Sequence, residues 1–156
     1  MLFGPLFLKG VCRDSLMTIG FFTEFQELAR FPTHLDGSLE LANERTMSNP
    51  VCGDLVRAEV QCRDGVVTQF RYNAKGCWPV FGCLEVLAGR LEDKPLREAV
   101  GLSLQDFLAL VKDVPPGKKH AFGLAYRAVM RSVGEALLTS GRDHAKNVGP
   151  ASKERL

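Results

Sequence analysis

Four side chains able to bind a metal ion or attack an electrophile stand in three short segments of this sequence. Asn49-Pro50-Val51-Cys52-Gly53-Asp54 sets a thiol and a carboxylate two positions apart across a glycine. A turn there aims both side chains outward, and Gly53 lets the backbone come close. Lys75-Gly76-Cys77-Trp78-Pro79 sets a second thiol at a strand exit and a helix entrance, where unpaired N–H groups favour a thiolate. Lys118-Lys119-His120 sets an imidazole near the start of the last helix, after the break at Pro115-Pro116-Gly117. Two thiolates, one carboxylate and one imidazole suit a tetrahedral Zn²⁺ site, and they equally suit iron with sulfur donors. The same residues admit a cysteine-nucleophile enzyme, with Cys77 attacking, His120 as base and Asp54 orienting it. Each also has a plainer role. Asp54 can accept backbone N–H bonds in its turn, Cys77 can be a buried apolar cysteine, and His120 can satisfy a carbonyl.

The elements that must position these residues follow from periodicity and breakers. Residues 16–31 carry Met17, Phe21, Phe25 and Leu28 at three- and four-residue steps, which predicts a helix closed by Pro32. Residues 34–50 are polar, contain Gly37 and Asn49-Pro50, and read as a loop or one short edge strand. Val56, Ala58, Val60 and Cys62 alternate with polar residues, as do Val66, Thr68, Phe70 and Tyr72. With Arg63-Asp64-Gly65 between them they predict a hairpin. A two-stranded ribbon is marginal by itself and needs a third strand or helices against it. A helix is expected from Pro79, with Val80, Cys83, Leu84 and Leu87 as its stripe and Gly89 as its terminator. A short helix is expected over 95–100 and another after Ser103, where Asp106 completes a weaker capping box and Leu104, Phe107, Leu108 and Val111 form the apolar face. The last helix is expected over 118–138, with Phe122, Tyr126, Val129, Val133 and Leu137 on one side. The fold class is therefore α+β: a small antiparallel sheet of about three strands packed against several helices. A single domain is expected over 17–139, preceded by an apolar extension at 1–16 and followed by a polar, frayed tail at 140–156 that contains His144. Met17 is an alternative start.

The remaining candidates have simpler readings. Cys62 shares the apolar parity of its strand and Cys83 lies on a helix stripe, so both are expected in the core, Cys83 being also weighed as a substitute ligand. Cys12 gets no role. His34 reads as a packing or capping residue. Lys118 and Lys119 read as a solvated face or a partner-docking element. Five cysteines, an odd number without a CxxC pair or a basic-then-apolar leader, argue for reduced thiols and a cytoplasmic setting. Twenty basic against eighteen acidic residues leave a formal +2, which argues against nucleic acid as the default partner. No stretch approaches eighteen apolar residues, so no membrane span is expected. At 156 residues with 46% hydrophobic composition, the chain is long enough to bury a core without disulfides.

From about Phe22 to about Leu138 the sequence resembles the U-type iron–sulfur cluster scaffold family: IscU, SufU and the N-terminal domain of NifU. His34, Gly37 and Asn-Pro-Val-Cys-Gly-Asp at 49–54 are similar to the family's entry segment, in its SufU form. Lys75-Gly76-Cys77 is similar to its second cysteine motif. Pro115-Pro116-Gly117-Lys118-Lys119-His120 resembles the IscU segment that leads into a third ligand cysteine, and the absence of a long insertion before it is also IscU-like. The resemblance implies a non-catalytic scaffold that holds zinc, iron or a labile iron–sulfur cluster and accepts sulfur from a cysteine desulfurase, with iron–sulfur assembly chaperones as further partners. The carried-over metal ligands are Cys52, Asp54, Cys77 and His120, with Lys118 and Lys119 as docking candidates. Two departures stand out. Ala121 occupies the place of the third cysteine, and Trp78, Val80 and Phe81 replace small residues, adding bulk that shields or fills the site. These departures motivate the alternative of a degenerate structural or interaction protein of the same fold.

Overall fold

The computed structural model describes residues 18–155, with side chains through residue 141. The expected extension at 1–16, Met17 and Cys12 lie outside the described residues, as does the side chain of His144.

The chain opens with strand β1 (Ile19–Gly20), a π-helical turn (Phe21–Phe25) and helix α1 (Gln26–Arg30). Strands β2 (Met47–Ser48), β3 (Leu55–Arg63) and β4 (Val66–Lys75) follow. Helices α2 (Trp78–Leu91), α3 (Leu96–Val100) and α4 (Leu104–Ala109) come next. Strand β5 (Val111–Lys112), a 3-10 turn (Pro116–Lys118) and helix α5 (Lys119–Arg155) complete it. The three antiparallel strands run in the order β2-β3-β4, which matches the α+β expectation.

The hairpin forms where the alternation placed it. Asp64 and Gly65 both take positive φ, at 54° and 76°, the pair of left-handed residues that a two-residue turn needs to follow the strand twist. The expected parity then breaks. Gln61 pairs with Gln69 but Cys62 pairs with Val67, so Thr68 has no partner across the ladder. This bulge reverses which side chains face the core. Val67 is 0% exposed and Val66 37%, whereas Val66 shared the core parity in the sequence.

The sheet packs against α2 and α5. Beyond its short pairing with β2, β3 is held by α5: the Val60 N–H donates to Ser132 Oγ at 2.8 Å. Phe21, Phe25, Phe70, Phe107, Phe122, Tyr72, Leu84 and Leu87 fill the space between. Each such side chain contributes about 1.5–3 kcal/mol through burial. The stripe Val80, Cys83, Leu84 and Leu87 on α2 is wholly buried, as is the Phe21, Phe25 and Leu28 face at the start. The capping box on α4 closes in both directions, Asp106 N–H to Ser103 Oγ at 3.0 Å and Ser103 N–H to Asp106 Oδ2 at 3.2 Å.

Several boundaries differ from expectation. The first helix begins at Phe21 because Ile19 and Gly20 pair in parallel with Val111 and Lys112, and the Ile19 N–H donates to Leu110 O. That pairing also takes Val111 out of α4. Gly89 is interior to α2; the left-handed residue past the helix end is Asp93, at φ 65°. Lys118 lies in the 3-10 turn, one residue before α5. The backbone of α5 continues helical past residue 138 to Arg155. Its interior glycines cost about 1 kcal/mol each but do not forbid a helix. Leu137, expected on the buried side, is exposed.

One buried polar cluster sets α2 on the sheet. Glu85, on the apolar side of α2, accepts from the backbone N–H groups of Thr33 and His34, each at 3.1 Å, and from the Tyr72 hydroxyl at 2.8 Å. The His34 ring lies between Glu85 Oε1 at 2.8 Å and Glu92 Oε1 at 2.7 Å. Burial opposes the charged imidazole, but the two carboxylates outweigh it and push its pKa up to about 9. Burial likewise raises Glu85, and His34 more than offsets that, leaving Glu85 below its ordinary value. His34 is therefore the hub of an ion-pair network, beyond the packing or capping role read from sequence. Leu35 bridges to Tyr72 beside it, so the segment lies along the free edge of β4.

Candidate metal centre

Each donor is delivered by a local device. The Asn49 side chain accepts from the Val51 N–H at 3.0 Å, and its backbone accepts from Gly53 and donates to Asp54. Gly53 closes this turn at φ 76°, a conformation that side chains resist. The turn leaves Cys52 exposed and drops Asp54 into the protein just before β3. Gly76 makes room for it. A Cβ at residue 76 would sit 2.5 Å from Asp54 Cγ and Oδ1, so the close approach of β4 to the carboxylate requires glycine. Cys77 caps the N-terminus of α2 in extended conformation, with Pro79 in the first turn where its missing N–H is harmless. His120 stands in the first turn of α5. Its Nδ1 lies 3.0 Å from Gly117 O. A carbonyl only accepts, so Nδ1 carries the proton and Nε2 presents its lone pair, the orientation a metal-binding imidazole needs.

The three segments converge. Cys77 Sγ lies 3.3 Å from Asp54 Oδ2 and 3.8 Å from His120 Nε2. His120 Nε2 lies 3.9 Å from Asp54 Oδ2. The donor atoms of Cys52, Asp54 and His120 all fall within 4.8 Å of one another. Ligands at 2.0–2.3 Å from one tetrahedral ion stand about 3.3–3.8 Å apart. Cys77, Asp54 and His120 approach that spacing, and Cys52 stands on the exposed turn within 4.8 Å of the latter two. The Cys77 thiol donates to Asp54 as the site stands. Burial, and then the Asp54 carboxylate, raise its pKa, opposed by the Val80 N–H and the Lys118 charge. A cation would replace that thiol proton. The donor set therefore fits a single borderline-soft ion, open to solvent on the Cys52 side.

The order of contacts does not build a nucleophile triad. Asp54 bonds Cys77 directly, and the atom that orients His120 is the Gly117 carbonyl. Ala121 is 0% exposed and belongs to the apolar core. Trp78 does not fill the site; its ring packs on Phe21 and Phe25. Cys83 is buried in the core as expected, and Cys62 packs partly against it. All four cysteines among the described residues are free. Lys118 is half-buried and Lys119 exposed. Sequence reasoning did not single out Gly76 as the residue that admits Asp54, nor the Gly117 carbonyl that sets the tautomer. Glu85 was also missed, although a lone carboxylate inside Phe81-Gly82-Cys83-Leu84-Glu85-Val86-Leu87 signals a buried partner.

Comparison with known proteins bears on the family and the fold. The chain is 24% identical over 105 residues to the iron–sulfur cluster assembly scaffold proteins IscU 1 and IscU 2 of Archaeoglobus fulgidus, covering 67% of this chain and 69% of each relative. A crystallised protein described only as hypothetical shares the fold at TM-score 0.53 and 18% identity, over 70% of this chain and 93% of its own. A protein named FiSufU, from the thermophilic Fervidobacterium islandicum AW-1, superposes at TM-score 0.50 and 12% identity, over 71% and 95% of the two chains. Residues 24–137 match the family of NifU-like N terminal domains, most of the sequence including all four donors, and the chain belongs to that family.

Proposed function

We propose that this protein serves iron–sulfur cluster assembly as a scaffold-type carrier, holding one zinc or iron ion on Cys52, Asp54, Cys77 and His120. The observation that carries this reading is the convergence of two thiols, a buried carboxylate and an oriented imidazole from three distant segments. The ion would supply positive charge that keeps both sulfurs deprotonated. With Ala121 in place of a third thiol, any cluster on this site is labile. Cys52, the exposed sulfur, accepts sulfur from a cysteine desulfurase. Its thiolate attacks the outer sulfur of the donor's cysteine persulfide. A new S–S bond forms on Cys52, the donor's S–S bond breaks, and the donor cysteine leaves as a thiolate. No reaction need be catalysed by the chain itself. Lys118 and Lys119 flank His120 and offer a positive rim for the desulfurase or an assembly chaperone. No helix among the described residues is long and apolar enough to cross a membrane, and we place the protein in the cytoplasm on its free thiols.

The test is elemental analysis with an absorption spectrum of anaerobically purified protein, beside Cys52→Ser and Cys77→Ser. Stoichiometric metal in the parent and its loss in both variants is the expected result. Absence of metal or cluster in the parent, together with no binding to a desulfurase, overturns the proposal. A second reading, a chain that keeps the fold for interactions alone, is favoured by the burial of Ala121 in the core. Unchanged metal content and stability in both serine variants would support it.

A further inference from the structure

Strands β2 and β3 form a second hairpin, and the turn that joins them carries Cys52. Its stem is short, with Met47 paired to Val56 and Ser48 to Leu55. Beyond the last rung the backbone closes a neck. The Asn49 N–H donates to Asp54 O at 3.0 Å, and the Gly53 N–H donates to Asn49 O at 2.7 Å. Neither bond reaches residues 50–52. There the Val51 N–H donates to Asn49 Oδ1 at 3.0 Å. Among the described residues no other hydrogen bond reaches that stretch. Packing adds little, since Val51 is 93% exposed and Cys52 is exposed too.

A surface tip of three residues keeps many conformations unless something removes them. Pro50 fixes its own φ, and Gly53 supplies the positive φ that closes the turn. The remaining freedom lies at Val51 and Cys52, and the bond inside the turn acts on the first of them. Asparagine suits the place because its side-chain oxygen accepts from the N–H two residues on, as a backbone turn would. This contact is separable from the neck, whose two bonds use only the backbone of residue 49.

We propose that Asn49 is a positioning residue, whose side chain holds the tip at residues 50–52 in the shape that sets the Cys52 sulfur within 4.8 Å of Asp54 and His120 before any ion arrives. This role rests on the reading of Cys52 as a metal donor, and Asn49 acts through that cysteine. Partners that orient a ligand in this way are worth about ten- to a hundredfold in metal affinity, because binding then has no tip left to order.

The experiment compares the parent with Asn49→Ala, Asn49→Ser and Asn49→Asp. The alanine variant removes the acceptor, the serine variant keeps a weaker one without charge, and the aspartate variant keeps it with a charge. In metal-free protein, amide hydrogen exchange at Val51 is read by NMR. With Zn²⁺ alone added, the dissociation constant is read by competition with a chromophoric chelator. Val51 exchange should match the parent in Asn49→Asp, quicken in Asn49→Ser, and quicken most in Asn49→Ala, by about five- to tenfold. The Zn²⁺ dissociation constant should rise about tenfold in Asn49→Ala, less in Asn49→Ser, and not at all in Asn49→Asp. Urea midpoints should stay close to the parent's throughout, because the neck bonds remain. Asn49→Ser keeps the test standing if the alanine variant unfolds. Equal Val51 exchange in all four proteins overturns the proposal. A parent that binds no Zn²⁺ overturns the metal reading and this role with it, whereas equal Zn²⁺ affinity in the parent and Asn49→Ala overturns the role alone.

Discussion

Two clusters in this protein are assembled from an imidazole and carboxylates, yet their hydrogen-bond accounts differ. Around His34, both ring nitrogens meet carboxylate oxygens, and both oxygens of Glu85 are occupied by donors. Around His120, one ring nitrogen is spent on a carbonyl and the other faces a thiol and a carboxylate at 3.8 and 3.9 Å, too far for a strong bond and close enough to share an ion. The first cluster is closed and buried, and its charges answer one another. The second is open on one side, and its donors point at a common space. A satisfied polar cluster specifies how elements pack. A cluster of donors spaced like the ligands of one ion is a candidate binding site.

That difference can be broken by substitution. The largest effect is expected from Glu85→Leu, which leaves the His34 imidazolium buried beside a single carboxylate. Breaking a buried pair in this way costs about 3–5 kcal/mol, read as a fall in urea midpoint, while metal per folded chain stays unchanged. Next is the pH dependence of the parent. The folded pKa of His34, about 9, lies above its ordinary 6.5. Its contribution is complete below pH 6.5 and lost as pH rises through 9, and the shift corresponds to roughly 3 kcal/mol. Denaturant titrations across that window should show the decline, and His34→Gln should flatten it. A smaller effect is expected from Gly76→Ala, whose Cβ would collide with Asp54 at 2.5 Å. Displacing the carboxylate should cost about 1–3 kcal/mol and lower metal retention after dialysis, joining the two readouts that Glu85→Leu separates. The smallest effect on stability belongs to Cys52→Ser, within about 0.5 kcal/mol because the residue is exposed, yet it should abolish metal binding. Retained metal in that variant would remove the contrast between the clusters.

Features encoded within a few residues were legible. Asp64-Gly65 specified a tight turn by conformation, Ser103 and Asp106 reach each other across one helical turn, and the Phe21, Phe25 and Leu28 face follows from helical spacing. The four donors were legible as residue types beside chain breakers. The bulge at Thr68 was not, because alternation continues through it in sequence while the pairing skips one residue. Neither was the β1–β5 pairing, which joins two dipeptides about ninety positions apart.

Taken alone, the sequence determined which side chains have donor chemistry, which breakers precede them, and that helices surround a short antiparallel sheet. Tertiary structure decided that Cys52 and Cys77 each come beside Asp54 and His120, that Gly76 admits the carboxylate, that Gly117 sets the imidazole tautomer, and that His34 is sealed into an ion pair. The physical reason is range. Backbone preferences act over one turn of chain, while the convergence of residues 52, 77 and 120 depends on how β3, β4, α2 and α5 pack around a core shared by all of them.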